Sequence, residues 1–296
     1  MSITRTSFAT RTRTWLLIAG LSALLVGFGA LIGGTSGIVL FAGIAVVFNF
    51  VMYWFSASLA LKSSRARPLA EDEAPQLHQL VRELAGKAQI PMPSLHLIPS
   101  EQPNAFATGR NPKHAAVAVT EGLLHHLPAD QVRGVIAHEL AHIANRDVLV
   151  QTIAAMIGAA IAAIANILQF SMLFGGDDDE SPLGLVGALA AIIFAPMAAM
   201  ILQLAVSRQR EYLADATAAR YIGEGEPLAR ALETLKRGTE AIPMRVNPAT
   251  EALYIANPLS AFKGQGMTAL FSTHPPMEER IRRLRALDAA SGIHYA

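Results

Sequence analysis

A chain of 296 residues with 52% apolar and only 16% charged side chains lies well below the roughly 25% charge of a soluble domain. With a mean hydropathy of +0.36, this excludes a wholly water-soluble fold and points to a membrane protein. A net charge of +1 argues against a nucleic-acid partner, and the absence of cysteine leaves His, Asp and Glu as the side chains able to hold a metal ion.

Two apolar runs open the chain. Trp15 to Gly34 is uncharged and long enough to cross a bilayer, and Gly37 to Leu61 follows after only Thr35 and Ser36. So short a link predicts an antiparallel helical hairpin, in which Asn49 is a polar residue that the pair can shelter. Arg5, Arg11 and Arg13 precede the first run and would also suit a cleaved signal peptide, but the apolar run is too long for one and a second span follows at once. Val148 to Phe174 and Leu183 to Val206 are the third and fourth spans. Gln151, Asn166 and Gln169 weaken the third, which would face other helices or a water-filled crevice, and Pro196 kinks the fourth. Lys62, Arg65, Arg67, Arg146, Arg208 and Arg210 flank the spans on the same side as the N-terminal arginines. The positive-inside rule then places both termini and the long polar segments in the cytoplasm, with the acidic loop around Asp177 to Asp179 outside.

Between the hairpins, Leu77, Leu80, Val81 and Leu84 recur at helical spacing. Ser94 to Pro99 and Ala115 to Thr120 are short strands joined by a loop, and Glu121 to Leu127 is a short helix stopped at Pro128. Asp130 is an expected N-cap for the next helix, which carries Val132, Ile136, Leu140 and Ile143 on one side. Three more helices follow the fourth span, around Glu211 to Ile222, around Pro227 to Gly238 and in the tail from Thr273 to Asp288. The last has acids in its first turn and arginines later, matching the helix dipole.

The stretch "HELAH" places His138 and His142 one helical turn apart, with Glu139 beside the first. Two neutral imidazoles so spaced can reach one zinc ion at about 2.0 to 2.1 Å. Glu139 would then take the proton of zinc-bound water and pass it to the leaving amine. The best third ligand is Glu211, with Asp215 four residues on able to accept the second N–H of a ligand histidine. A solvated face with Glu211 and Asp215 paired to nearby arginines is the plain alternative.

In the order "NAFATG", "HELAH", "EYLAD" and "STHPP", with its two hydrophobic pairs, the chain resembles the M48 family of membrane zinc metallopeptidases, and within it the bacterial HtpX heat-shock proteases, over nearly its whole length. The resemblance implies a mainly α fold with a small β-sheet (α+β), four transmembrane helices and a gluzincin-type zinc peptidase domain. It implies one Zn2+ per chain on His138, His142 and Glu211, Glu139 as catalytic base, and a multi-pass protein of the bacterial inner membrane whose active site faces the cytoplasm. The expected units are a tail and hairpin over 1–61, peptidase segments over 62–147 and 208–296, and a second hairpin over 148–207.

His274 is the expected oxyanion donor and resembles the family's downstream histidine, with a capping or packing role equally open. Arg280 could orient a carboxylate, although a surface arginine fits "EERIRRLR" better. Asn145 and Asp147 would either fix the second ligand histidine or cap its helix. If Ala115 to Thr120 formed an exposed edge, an extended peptide could pair with it, with Asn104 and Phe106 bordering the cleft or forming a simple turn. His125 and His126 read as surface residues. The leading function is hydrolysis of misfolded or damaged membrane proteins, the bilayer and unfolded polypeptides being the partners. The alternatives are processing of lipidated peptides and a catalytically silent, metal-stabilised scaffold. The intact Glu139 opposes silence, since a structural zinc site gains nothing from an unliganded base.

Overall fold

The computed structural model describes residues 3–157, 208–246, 248–262 and 275–290. Helix α1, Ile3–Ser63, breaks at Gly34, whose backbone (φ 53°, ψ −134°) is one that glycine adopts at little cost. The break folds the chain into the expected hairpin. Its arms pack tightly at two glycines, where a Cβ on Gly37 would stand 1.9 Å from the Gly29 carbonyl oxygen. Further along, Asn49 Nδ2 donates to Ser22 Oγ at 2.7 Å across the pair. An amide in an apolar environment needs such a partner.

Residues Gly33–Ser63 form a helix long and apolar enough to cross a membrane, and it exposes Val39, Leu40, Val46, Val47 and Phe50. That much uncovered apolar surface is a lipid-facing or partner-facing feature. The predicted third span is described as far as α5, Val148–Ile157, and this part packs inward: Val150, Thr152, Ile153 and Ala154 are buried. Its remainder, the acidic loop and the fourth span with Pro196 lie outside the described residues.

A four-stranded sheet of order β1-β2-β4-β3 follows, made of β1 (Arg67–Pro68), β2 (Ser94–Ile98), β3 (Ala105–Gly109) and β4 (Ala115–Thr120). β4 runs parallel to β2 and antiparallel to β3. It is therefore a central strand, and the expectation that it offers a free edge to a peptide is overturned: β3 is the edge on that side of the sheet. The segment "AFATG", read as loop, forms that edge strand. Alanine, threonine and glycine carry little strand signal, and β3 is held in place by pairing with β4 and burial on both sides. Side chains alternate across the sheet. Ala105, Ala107, Val117 and Val119 face the main core, while Phe106 and Ala118 face a second cluster containing Met52 and Ala60 of α1 and Ala154 of α5. The sheet thus lies between the N-terminal hairpin and the helical body, which accounts for burial of both faces.

The helical body comprises α2 (Pro75–Ala88), α3 (Glu121–His126), α4 (Ala129–Ala144), α6 (Arg208–Ile222), α7 (Glu226–Ala241) and α8 (Met277–Ala290). α3 begins at Thr120, whose hydroxyl accepts the Leu123 N–H at 3.1 Å, and it leaves His125 and His126 exposed. α4 is the central helix, packed against α2, α6, α7 and β3. Pro128, not Asp130, occupies its N-cap position. Asp130 lies inside the first turn, where it pairs with Arg230 of α7 at 2.8 Å. At Gly134 a Cβ would meet the Leu228 backbone nitrogen at 2.7 Å, so the crossing of α4 and α7 requires a residue without a side chain. α8 closes the body through Leu284 in the main core and Asp288, whose carboxylate accepts the Gly225 N–H at 2.6 Å before α7.

Candidate metal centre

The two sides of α4 do not divide into an apolar face and a solvent face. Every residue from Gly134 to Ile143 is buried, so His138 and His142 lie in the interior on the side that meets α6. There α6 presents Glu211 and, one turn later, Asp215, both buried. His138 Nε2 and His142 Nε2 stand 3.1 Å apart. Glu211 approaches the former at 3.7 Å and the latter at 3.4 Å, so one donor atom from each residue lies within 4.8 Å of the others. Two ligands at about 2.0 to 2.1 Å from one tetrahedral ion stand roughly 3.3 Å apart. The observed separations match that demand. Two imidazole nitrogens and a carboxylate oxygen are also the donor set of catalytic zinc sites with an open fourth position.

The other nitrogen of each ring is also engaged. His138 Nδ1 lies 3.0 Å from Asp215 Oδ1, and Arg280 from α8 donates to Asp215 through Nε at 2.9 Å and Nη2 at 2.7 Å. The Arg280 Nη1 donates to the Ile255 carbonyl at 3.2 Å. This arginine has no exposed surface, which overturns the surface reading of it. Its neighbours Arg282 and Arg283 do face out and pair with Glu279, and a run of arginines does not reveal which one turns inward. Asp147 takes the other histidine, with Oδ2 3.5 Å from His142 Nδ1, and Arg210 lies 3.3 Å from its second oxygen. Of the two roles open to the pair after α4, Asp147 takes the histidine. Asn145 sits at the C-cap, its N–H bonded to the Ala141 carbonyl, and its side-chain nitrogen has no hydrogen-bond partner among the described residues.

Burial and charge set the protonation of the cluster. Burial is the largest influence on His138 and lowers it to about 4, with Asp215 opposing the shift and the nearby His142 and Arg280 adding to it. Burial also disfavours a charged His142, but the carboxylates of Glu211 and Asp147 together overcome this and raise it to about 10. Asp215 is held down at about 2 because the Arg280 ion pair outweighs its burial. Glu139 moves the other way, raised to about 7 by burial and by the charge of Glu211. A carboxyl group poised near neutrality can take up a proton and release it again, as a general base that later acts as an acid requires.

His138, Glu139, His142 and Glu211 share one narrow cavity with Gln151 and the segment Ala252 to Ile255. That segment begins in the last residues of a helical turn at Pro248–Leu253 and lies against the start of β3. The Ile255 N–H donates to the Ala105 carbonyl at 3.0 Å, and Asn104 Nδ2 donates to the Ala256 carbonyl at 2.8 Å. Asn104 is therefore a fully buried clamp for the cavity wall and not a surface turn. Neither the wall nor Gln151 was apparent as part of a site in the sequence, because apolar residues near a Pro carry no spacing that marks a cleft. His274 lies outside the described residues.

A buried His-Glu-x-x-His helix facing a carboxylate from a second helix, beside a small sheet with a helical body, defines a metalloprotease. Residues 71–288 match the model of peptidase family M48, and the chain belongs to that family. It is 52% identical to the "Protease HtpX homolog" of Pelotomaculum thermopropionicum, over 93% of this chain and 98% of that one. The protein of the same description from Pyrococcus abyssi is 49% identical, over 96% of this chain and 98% of that one. Among solved structures, the crystal structure of S. mikatae Ste24p covers 95% of this chain and 67% of its own with a TM-score of 0.50 and 18% identity. That similarity is one of fold.

Proposed function

We propose that the chain is a multi-pass membrane zinc endopeptidase that hydrolyses misfolded or damaged membrane proteins at the cytoplasmic face of a bacterial inner membrane, in a stress-response and quality-control role. The peptidase domain is assembled from residues 62–147 and 208–296, preceded by the hairpin of 1–61 and split by the hydrophobic pair of 148–207. The observation that carries this reading is the convergence of His138, His142 and Glu211 within 4.8 Å, with Glu139 buried in the same cavity.

His138, His142 and Glu211 would hold the ion, which when bound supplies Lewis acidity to an attacking water and to the peptide carbonyl. Glu139 accepts the proton of that water and returns it to the leaving amine nitrogen. Asp215, fixed by both nitrogens of the Arg280 fork, keeps His138 in the tautomer that turns Nε2 toward Glu211, and Asp147 does the same for His142. His274 supplies the hydrogen bond to the oxyanion. The relatives named as protease HtpX homologues support the peptidase activity.

The test is metal content and casein cleavage of detergent-purified protein. In Glu139→Gln, zinc stays at one per chain while cleavage is lost. A variant that cleaves as fast as the wild type would remove Glu139 from the mechanism. Separately, Glu211→Ala should lower zinc occupancy, and unchanged stoichiometry would remove Glu211 from the ligand set.

A further inference from the structure

Gln151 has no part in the mechanism above, yet it faces the reacting groups. It sits in the first turn of α5, where its backbone N–H donates to the Asp147 carbonyl at 3.2 Å. The next residue is pinned on both sides: Thr152 Oγ1 donates to the Val148 carbonyl at 2.6 Å and lies 3.0 Å from Thr108 Oγ1 of β3. The turn that carries Gln151 is thus tied to the edge strand and to the residue that orients His142. Only 7% of Gln151 is exposed, and its side chain lines the cavity of His138, Glu139, His142 and Glu211. Its side-chain amide makes no hydrogen bond to another described residue, and its polar atoms are not fully enclosed.

A glutamine amide carries two N–H donors and a carbonyl acceptor, and on the lining of the cavity these are open to a ligand. The other polar groups of the cavity are already committed: the histidines and Glu211 to one another, Glu139 to proton transfer. A peptide group has one donor and one acceptor, the complement of a neutral amide, and that complementarity holds at any pH near neutrality.

We propose that Gln151 binds the main chain of the substrate next to the scissile bond, its Nε2 donating to a peptide carbonyl and its Oε1 accepting a peptide N–H. The inference rests on the peptidase reading of the site. It makes recognition depend on backbone groups, which every polypeptide has, and fits an enzyme with broad sequence tolerance.

The experiment uses the full-length, zinc-loaded protein in detergent with a fluorogenic peptide and its ester-substituted counterparts, in which one amide N–H at a time near the scissile bond is replaced by oxygen. Gln151→Met, similar in length but without donor or acceptor, should raise KM about tenfold with little change in kcat. Zinc content, thermal midpoint and pH profile should stay at wild-type values. In the Glu139→Gln background, where no cleavage confuses the signal, the peptide Kd should rise by the same factor. One ester substitution should weaken binding to Gln151 protein and make no difference to the Met variant. Gln151→Asn, which keeps the amide on a shorter stem, guards against misfolding of the first variant and should bind between the two. Unchanged Kd in Gln151→Met, an ester penalty equal in both proteins, or zinc loss in both variants would overturn the proposal. Failure of the wild type to cleave any peptide would instead sink the peptidase reading, and the binding comparison would still decide the role of Gln151.

Discussion

Arg280 shows how much a single side chain can hold together. It joins Asp215, the partner of His138, to the Ile255 carbonyl in the cavity wall, so the tautomer of one ring and the position of that wall depend on one guanidinium. Removing one member of a buried ion pair leaves an uncompensated charge and costs about 3 to 5 kcal/mol. Arg280→Met is expected to lower the thermal midpoint and to weaken metal affinity by about 10- to 100-fold. Lysine should not rescue it, since a point charge cannot reproduce the two-pronged contact. Wild-type metal affinity in Arg280→Met would show that Asp215 orients His138 unaided.

Glu251 is the opposite case, a fully buried carboxyl group whose two oxygens have no hydrogen-bond partner among the described residues. Burial raises it to about 8. The folded protein therefore keeps this proton between about pH 4.5 and 8 while the unfolded chain has lost it, and stability from this group falls as pH rises through that window. Glu251→Gln should be more stable than wild type at pH 8 by about 1 to 3 kcal/mol, with the difference vanishing near pH 4. Parallel thermal midpoints for the two proteins across that range would contradict the assignment.

At the scale of elements, α4 is fixed by what it must contact. From Gly134 to Ile143 it is buried all round, and the close crossing with α7 at Gly134 sets how the active-site helix lies. Gly134→Ala would drive a methyl group into the Leu228 backbone, and such overpacking costs about 1 to 3 kcal/mol. The control is Gly86→Ala in α2, where nothing lies within 4 Å of the added carbon. There the gain in helix propensity should be stabilising by up to about 1 kcal/mol. If both variants unfolded at the same temperature, the crossing would not be tight in solution.

For the whole molecule, the sheet acts as a partition. One face belongs to the helical core that carries the metal centre, and the other to a cluster shared by α1 and α5. Catalytic body and membrane hairpin therefore meet through a single layer of strands, with the edge strand β3 beside Glu139 and Gln151. In the orientation proposed above, this arrangement would set the site close to the cytoplasmic face of the bilayer. A reporter inserted near Asp178 should read as periplasmic and one at the C-terminus as cytoplasmic. Cytoplasmic labelling at Asp178 would reverse the proposed orientation of the second hairpin.

Much of this was legible in the chain alone, for a common reason. The hairpin, the amphipathic α2, the two-histidine turn of α4 and the pairing of Glu211 with Asp215 are properties of local spacing, and a 3.6-residue period projects them onto one side of a helix wherever that helix is packed. Asn49 was likewise predictable, because a polar group within an apolar run has to find a partner. Other features depended on contacts distant in sequence. β3 is a strand because β4 lies beside it, and β4 is central because β2 pairs with its other side. Asp130 lost its capping role to Pro128 and gained Arg230 from a helix a hundred residues away. Which arginine of α8 turns inward, which apolar residues wall the cavity and where Gln151 points were decided only by tertiary packing, since a side chain's charge or polarity states what partner it needs but not which distant residue the fold will bring to it.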